Sequence, residues 1–257
     1  MADELLIAVF VDYENLAIGV REMKTALKLD LVLKRLLEKG RIVYKRAYSD
    51  WNVYRDSTRE LHSLGISLID IPRGRLSGKN SADIHMVVDA LDLCYAKEHI
   101  DIFALLSGDS DFSPLVSKLK ENNKRVIGCG VKSSTSDLLI ASCDEFIYYD
   151  DLVRHAEKAI PAKRKRKPGA PKPTKKEEAL ERLMEIVSSL ARDYDTIWGS
   201  MVKQTIRRVY PGFNEDYYGY PSFNALLEDA RGQGLIEVDL DEERGNYVVR
   251  PKAAAQG

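Results

Sequence analysis

Cysteine and histidine are scarce in this chain, with three and four in 257 residues. Cys94, Cys129 and Cys143 are odd in number and widely spaced, and no two form a CxxC pair. That excludes a disulfide framework and a zinc ribbon, and leaves them as small buried hydrophobes. His62, His85, His99 and His155 are scattered and form no HxxxH pair, so a histidine-based metal site is not indicated. No apolar run approaches the roughly 20 residues needed to cross a bilayer. The start, MADELLIAVFVDYE, places acids before its apolar run, where a signal peptide would have a basic flank. The expected protein is soluble and cytoplasmic, with no membrane partner. Net charge is also nearly absent, at -1.

What charge there is has a telling distribution. PAKRKRKPGAPKPTKK (161–176) carries eight Lys/Arg and no Asp/Glu, while acids outnumber bases on both sides of it. Proline, glycine and repelling like charges oppose a packed core there. The chain therefore divides into a domain at 1–158, a basic linker at 159–176 and a second domain at 177–252. Lys163, Arg164, Lys165, Arg166 and Lys167 form a candidate phosphate-binding tether, with a solvated spacer as the alternative.

The first domain alternates strand and helix. Apolar, β-branched runs at 5–11, 41–48, 66–71, 101–106, 124–130 and 145–149 read as strands. Helical patterns lie at 14–39, 53–64, 82–97, 112–122 and 134–142. In 82–97, Ile84, Val87, Val88, Leu91 and Tyr95 make one apolar stripe, predicted to face the core. The alternation implies an α/β fold with a mostly parallel sheet covered on both faces. Ligands of such sheets bind beyond the carboxyl ends of the strands.

Those ends are rich in carboxylates. The first strand runs into VFVDYENL, with Asp12 and then Asn15, and the fourth into LLSGDSDF, with Asp109 and Asp111. Asp83 opens the helix at 82–97, about 100° from the centre of its apolar stripe. Asp89 lies about 120° from Asp83, toward the polar side, and ranks lower. Asp12, Asp83, Asp109 and Asp111 are thus expected to converge on one sheet edge. Carboxylates gathered this way raise one another's pKa, and a divalent cation with all-oxygen ligands, Mg²⁺ or Mn²⁺, resolves the conflict. Each residue also has a plainer role open to it, as a helix cap or turn former. The loop IPRGRLSGKNSAD supplies Arg73, Arg75 and Lys79 as candidate phosphate contacts. It is not a phosphate-binding P-loop, because the glycine and Ser/Thr positions do not fit.

Together, VFVDYENL, KNSADIHMVVDALDL and LLSGDSDFSPLVSKLKENNKRVIGCG resemble the NYN domain, a branch of the PIN-like nuclease superfamily with a Rossmann-like fold. The resemblance implies RNA cleavage with Mg²⁺ or Mn²⁺. It implies Asp12, Asp83, Asp109 and Asp111 as metal-binding and catalytic acids, with Asn15 beside them; Asp89 and Ser107 are lower-ranked supporting candidates. Asn80 departs from the glycine common after the lysine in relatives. Some members of the family are inactive binders, so a catalytically silent RNA adaptor is the alternative. A phosphatase of the haloacid dehalogenase type is disfavoured by Glu14, which stands where that family requires a second Asp.

The second domain reads as three helices followed by a hairpin, LIEVDLDEERGNYVVRP, a pattern expected of a small winged helix-turn-helix. IWGSMVKQTIRRVYPGFNEDYYGYPSFNALLEDARGQGLIEV and GNYVV resemble the OST-HTH/LOTUS domain, which implies RNA binding and, in some members, protein partners. Lys203, Arg207 and Arg208 are candidate contacts, with Tyr217, Tyr218 and Tyr220 available to stack on bases.

Overall fold

A computed structural model describes residues 4–23, 25–72, 81–164 and 173–252, with the backbone alone for 158–164. The chain divides into two compact units, separated near residue 165. Among the described residues no helix is long and apolar enough to cross a membrane.

The first unit is built on strands β1 (Leu6–Asp12), β2 (Arg41–Ser49), β3 (Ser67–Asp70), β4 (Ile102–Leu106), β5 (Arg125–Gly130) and β6 (Glu145–Tyr148). They form one sheet in the order β3-β2-β1-β4-β5-β6, parallel throughout. The central strands read as continuous apolar runs because helices cover both faces. Their helices are α1 (Tyr13–Glu22), α2 (Leu29–Lys39), α3 (Arg55–Ser63), α4 (Ser81–Ala96), α5 (Ser113–Glu121), α6 (Asp137–Ser142) and α7 (Tyr149–Arg164). Successive side chains of a strand point to opposite faces. Ile7, Val9 and Val11 accordingly join the core that includes α1 and α2, while Ala8 and Phe10 join the core that includes α4 and α5. The chain order reverses between β1 and β4, which makes their carboxyl ends the topological switch point.

Helix α4 turns a different face inward from the one its apolar stripe predicts. Met86, Ala90 and Cys94 are its buried residues, whereas Ile84 is 62% exposed and Val88 and Tyr95 also face solvent. The sheet face beneath carries Phe10, Tyr48 and Phe103. Met86, Ala90 and Cys94 pack with those rings, and Val87 and Leu91 of the predicted stripe lie at the margin, partly buried against the same core. Asp83 precedes Met86 by three residues and Ala90 by seven, so it continues the buried line rather than lying at its margin.

Helix α7 runs through 159–164, the first part of the stretch predicted as linker.

The second unit contains α8 (Lys175–Leu190), β7 (Ile197–Trp198), α9 (Gly199–Val209), α10 (Phe223–Gly232), β8 (Ile236–Asp241) and β9 (Asn246–Pro251). Thr174 and Glu177 cap α8 reciprocally, which draws Lys175 and Lys176 out of the predicted linker and into the helix. Ser222 caps α10 by accepting the Ala225 N–H. The three strands form an antiparallel sheet in the order β7-β9-β8. The core joins Leu183, Ile186 and Leu190 of α8, Val202 and Ile206 of α9, and Leu226 and Leu227 of α10.

Candidate active site

Asp12 is the last residue of β1 and caps α1, accepting the Asn15 N–H at 3.2 Å. Its other oxygen accepts the Ser107 hydroxyl at 2.9 Å. Ser107 follows β4 and is fully buried. The Asp109 N–H donates to Ser107 Oγ at 3.2 Å, and the Gly108 N–H donates to Asn15 Oδ1 at 2.8 Å. One short network thus ties the end of β1 to the end of β4. Asp109 in turn caps a 3-10 helix, Ser110–Phe112, by accepting the Asp111 N–H at 2.9 Å. The capping roles open to Asp12 and Asp109 are therefore filled, and both carboxylates still lie at the switch point.

The segment after β5 closes over this network. The Ser136 N–H donates to Gly108 O at 2.9 Å. A side chain at position 108 would bring a Cβ to 2.5 Å from the Ser134 carbonyl oxygen, so only glycine permits the approach. Sequence reasoning missed residues 131–136 because their contribution is made by backbone.

The carboxylates of this edge act on one another. Burial, offset in part by the bonds from Asn15 and Ser107, pushes the Asp12 carboxyl up to about 6, and the charges of Asp83 and Asp109 add to the rise. Asp83 is also raised, by burial first and then by Asp109 and Asp111. Asp12, Asp83, Asp109 and Asp111 are therefore one electrostatic group. Among the described residues no three His, Cys, Asp or Glu side chains are drawn together as a closed metal-binding set. The fit to a hard divalent cation lies in the donor chemistry: oxygen ligands alone, and like charges whose repulsion such an ion relieves.

Asp89 stands apart from this group. It accepts Arg46 Nη1 at 2.6 Å and the Tyr48 hydroxyl at 2.7 Å, bonds that pin α4 to β2. Its position toward the polar side of α4 points it at β2 instead of at the acids.

Arg73, Arg75, Lys79, Lys165, Arg166 and Lys167 lie outside the described residues, as do the side chains of Lys163 and Arg164. In the second unit Arg207 grips Glu215 with two bonds of 3.1 Å, and Lys203 lies 3.7 Å from it. Arg208 donates to Thr205 Oγ1 at 3.1 Å. Tyr218, expected to stack on bases, is 3% exposed and belongs to the core, and Tyr220 is buried with its hydroxyl donating to Asp229. Their neighbour Tyr217 is 57% exposed, with Lys175 Nζ 4.1 Å from its ring centre.

A feature beside the acids went unread in the sequence. WNVYR, after β2, supplies Trp51 and Tyr54 to an aromatic group with Tyr13, at ring separations of 5.2 Å (Tyr13–Trp51) and 5.1 Å (Tyr13–Tyr54). The legible signal was two aromatics and an arginine within six residues of a strand's carboxyl end.

Comparison with known proteins agrees with this architecture. Residues 6–150 match the family described as NYN domain. Among solved structures, a protein of unknown function from Vibrio parahaemolyticus is 28% identical, with a TM-score of 0.53, over 59% of this chain and 97% of that one. No curated protein matches the chain.

Proposed function

This chain belongs to the NYN domain family of PIN-like nucleases, and from that membership we propose that it is a metal-dependent endoribonuclease. Residues 1–158 carry the catalytic domain, and 177–252 an OST-HTH/LOTUS-like winged-helix module that recruits RNA. The observation that carries the reading is the group Asp12, Asp83, Asp109 and Asp111 at the switch point of the sheet, where burial and then the neighbouring carboxylate charges raise Asp12 and Asp83.

These four acids would hold Mg²⁺ or Mn²⁺. When bound, a divalent cation supplies positive charge to the phosphoryl oxygens and acidifies a water molecule. The chain's own residues supply the preorganisation. Ser107 and the Asn15 N–H fix the two oxygens of Asp12. Gly108 holds Asn15 Oδ1, which leaves the amide nitrogen as the donor end for a phosphate oxygen or water. A site fixed before substrate arrives needs no reorganisation as charge develops.

The module reading rests on α8, α9 and α10, the hairpin of β8 and β9, and the GYPSFNALLEDA motif. Tyr217 with Lys175 is the exposed aromatic–cation pair suited to RNA there. The basic linker adds sequence-independent phosphate attraction.

The test is cleavage of labelled single-stranded and structured RNA with Mn²⁺, Mg²⁺ or chelator, wild type beside Asp109→Asn. Metal-dependent cutting that the variant loses, with RNA binding retained, is the expected result. A folded wild type that binds every RNA and cuts none is instead an adaptor of the same fold.

A further inference from the structure

The loop after β2 places an aromatic ring and a cation beside the acids. Tyr54 is half-buried at the start of α3. Its ring meets Tyr13 nearly edge-on at 73°, and Tyr13 leans on Trp51. Trp51 is anchored to β3: its indole N–H donates to Ile69 O at 2.9 Å and its backbone N–H to Asp70 Oδ1 at 3.1 Å. The Arg21 guanidinium lies 6.0 Å from the Tyr54 ring centre. Arg21, Asn52, Val53 and Arg55 around it are exposed.

This ledge is within electrostatic reach of the catalytic edge. Burial foremost raises the Tyr54 phenol, Arg21 opposes that, and Tyr13 and Asp12 add to it. The strands agree, since β2 neighbours β1 and Tyr48 pairs with Asp12, at a spacing of about 4.8 Å. Tyr13, whose ring meets Tyr54, directly follows Asp12, so a nucleic-acid strand whose phosphate lies at Asp12 would run its next base toward Tyr54. An aromatic ring packed against Tyr13, which is itself braced by Trp51, loses little freedom on stacking, and Arg21 beside it matches the strand's phosphate charge.

We propose that Tyr54, backed by Tyr13 and Trp51 and flanked by Arg21, is the stacking platform for an unpaired base next to the scissile phosphate. The proposal rests on the nuclease reading for the position of that phosphate. It makes Tyr54 a binding residue that favours single-stranded over paired RNA, because a paired base has no face to offer it.

The experiment uses the full chain and a short single-stranded oligoribonucleotide carrying one photoreactive thiouridine, bound in chelator so that nothing is cut. Affinity and cross-linked peptides are measured for wild type, Tyr54→Phe, Tyr54→Leu and Arg21→Gln, with melting temperatures to confirm folding. Cleavage kinetics with Mn²⁺ follow. Expected are a wild-type cross-link at Tyr54 and affinity kept in Tyr54→Phe. Tyr54→Leu should bind about tenfold more weakly, with KM raised and kcat little changed. Arg21→Gln should weaken binding and flatten its salt dependence. Wild-type affinity and KM in folded Tyr54→Leu, or cross-links confined to the second unit, overturn the platform and leave the nuclease reading standing. A Tyr54-dependent cross-link in a wild type that never cuts supports the platform and removes the nuclease reading instead.

Discussion

Asp12 and Glu215 are buried to nearly the same degree, 7% and 8% exposed, yet the two halves of the protein treat these carboxylates in opposite ways. Burial acts upward on both. At Glu215 hydrogen bonds from the backbone and Arg207, and the charges of Arg207 and Lys203, outweigh it, and the pKa falls. At Asp12 the bonds from Asn15 and Ser107 do not suffice, the charges of Asp83 and Asp109 push the same way as burial, and the carboxyl rises to about 6. Burial alone therefore does not separate a structural acid from a functional one. The surrounding charge differs in sign: Arg207 and Lys203 are the neighbours of Glu215, whereas Asp83 and Asp109 add negative charge at Asp12, the pattern the nuclease proposal assigns to a metal-binding acid.

The comparison breaks most visibly in activity. Asp83→Asn removes charge from the acidic group without touching the network of Asp12, Ser107 and Asn15. RNA cleavage should fall on the order of 100- to 1,000-fold, with the melting temperature unchanged or higher. Near-normal cleavage would remove Asp83 from the catalytic set.

Next in size is the pH dependence of stability. The Asp12 carboxyl has a folded pKa of about 6 against an ordinary value of 3.8. A raised carboxyl pKa means that the folded state holds the proton more tightly. Its stabilising contribution is complete below about pH 4 and is lost as pH rises through 6. The difference corresponds to at most about 3 kcal/mol. Denaturant unfolding without metal should show wild type losing stability over that window, with Asp12→Asn flatter and more stable at neutral pH. Mn²⁺ should raise the melting temperature of wild type more than that of the variant. Equal pH profiles would deny Asp12 its strain.

Glu215→Gln tests the other side. It removes the negative charge and one of the two oxygens that hold Arg207 and Lys203 and should cost about 1–3 kcal/mol in unfolding of the second unit, with RNA cleavage unchanged. Smallest of all is Lys203→Ala: its partly exposed bridge contributes no more than about 1 kcal/mol. If pairing with Glu215 is its role, the salt dependence of RNA affinity stays as in wild type. A flatter slope would return Lys203 to the RNA surface.

Much of this was legible in the sequence. Alternation of apolar strands with amphipathic helices gave the parallel sheet, and the strand-end rule pointed to Asp12 and Asp109. The face of α4 was not legible from periodicity, because Ile84, Val88 and Tyr95 repeat as regularly as Met86, Ala90 and Cys94. What the helix packs against, Phe10, Tyr48 and Phe103 among it, belongs to other segments. Tyr217 and Tyr218 are adjacent and chemically identical, so only packing separates an exposed ring from a core one. Tyr54 escaped notice because its neighbours Tyr13 and Arg21 lie a whole strand and helix earlier in the chain. Gly108 fixes the turn after β4 through a contact that contains no side chain of its own.

The most direct test of the account is one paired measurement on Asp12→Asn and wild type at neutral pH: melting temperature without metal and RNA cleavage rate with Mn²⁺. The variant should melt higher than wild type and cut RNA no faster than background, the result expected of an acid held at the expense of stability for its chemistry. A variant that melts lower and still cuts at the wild-type rate would mean that Asp12 is a helix cap and that the catalytic centre lies elsewhere.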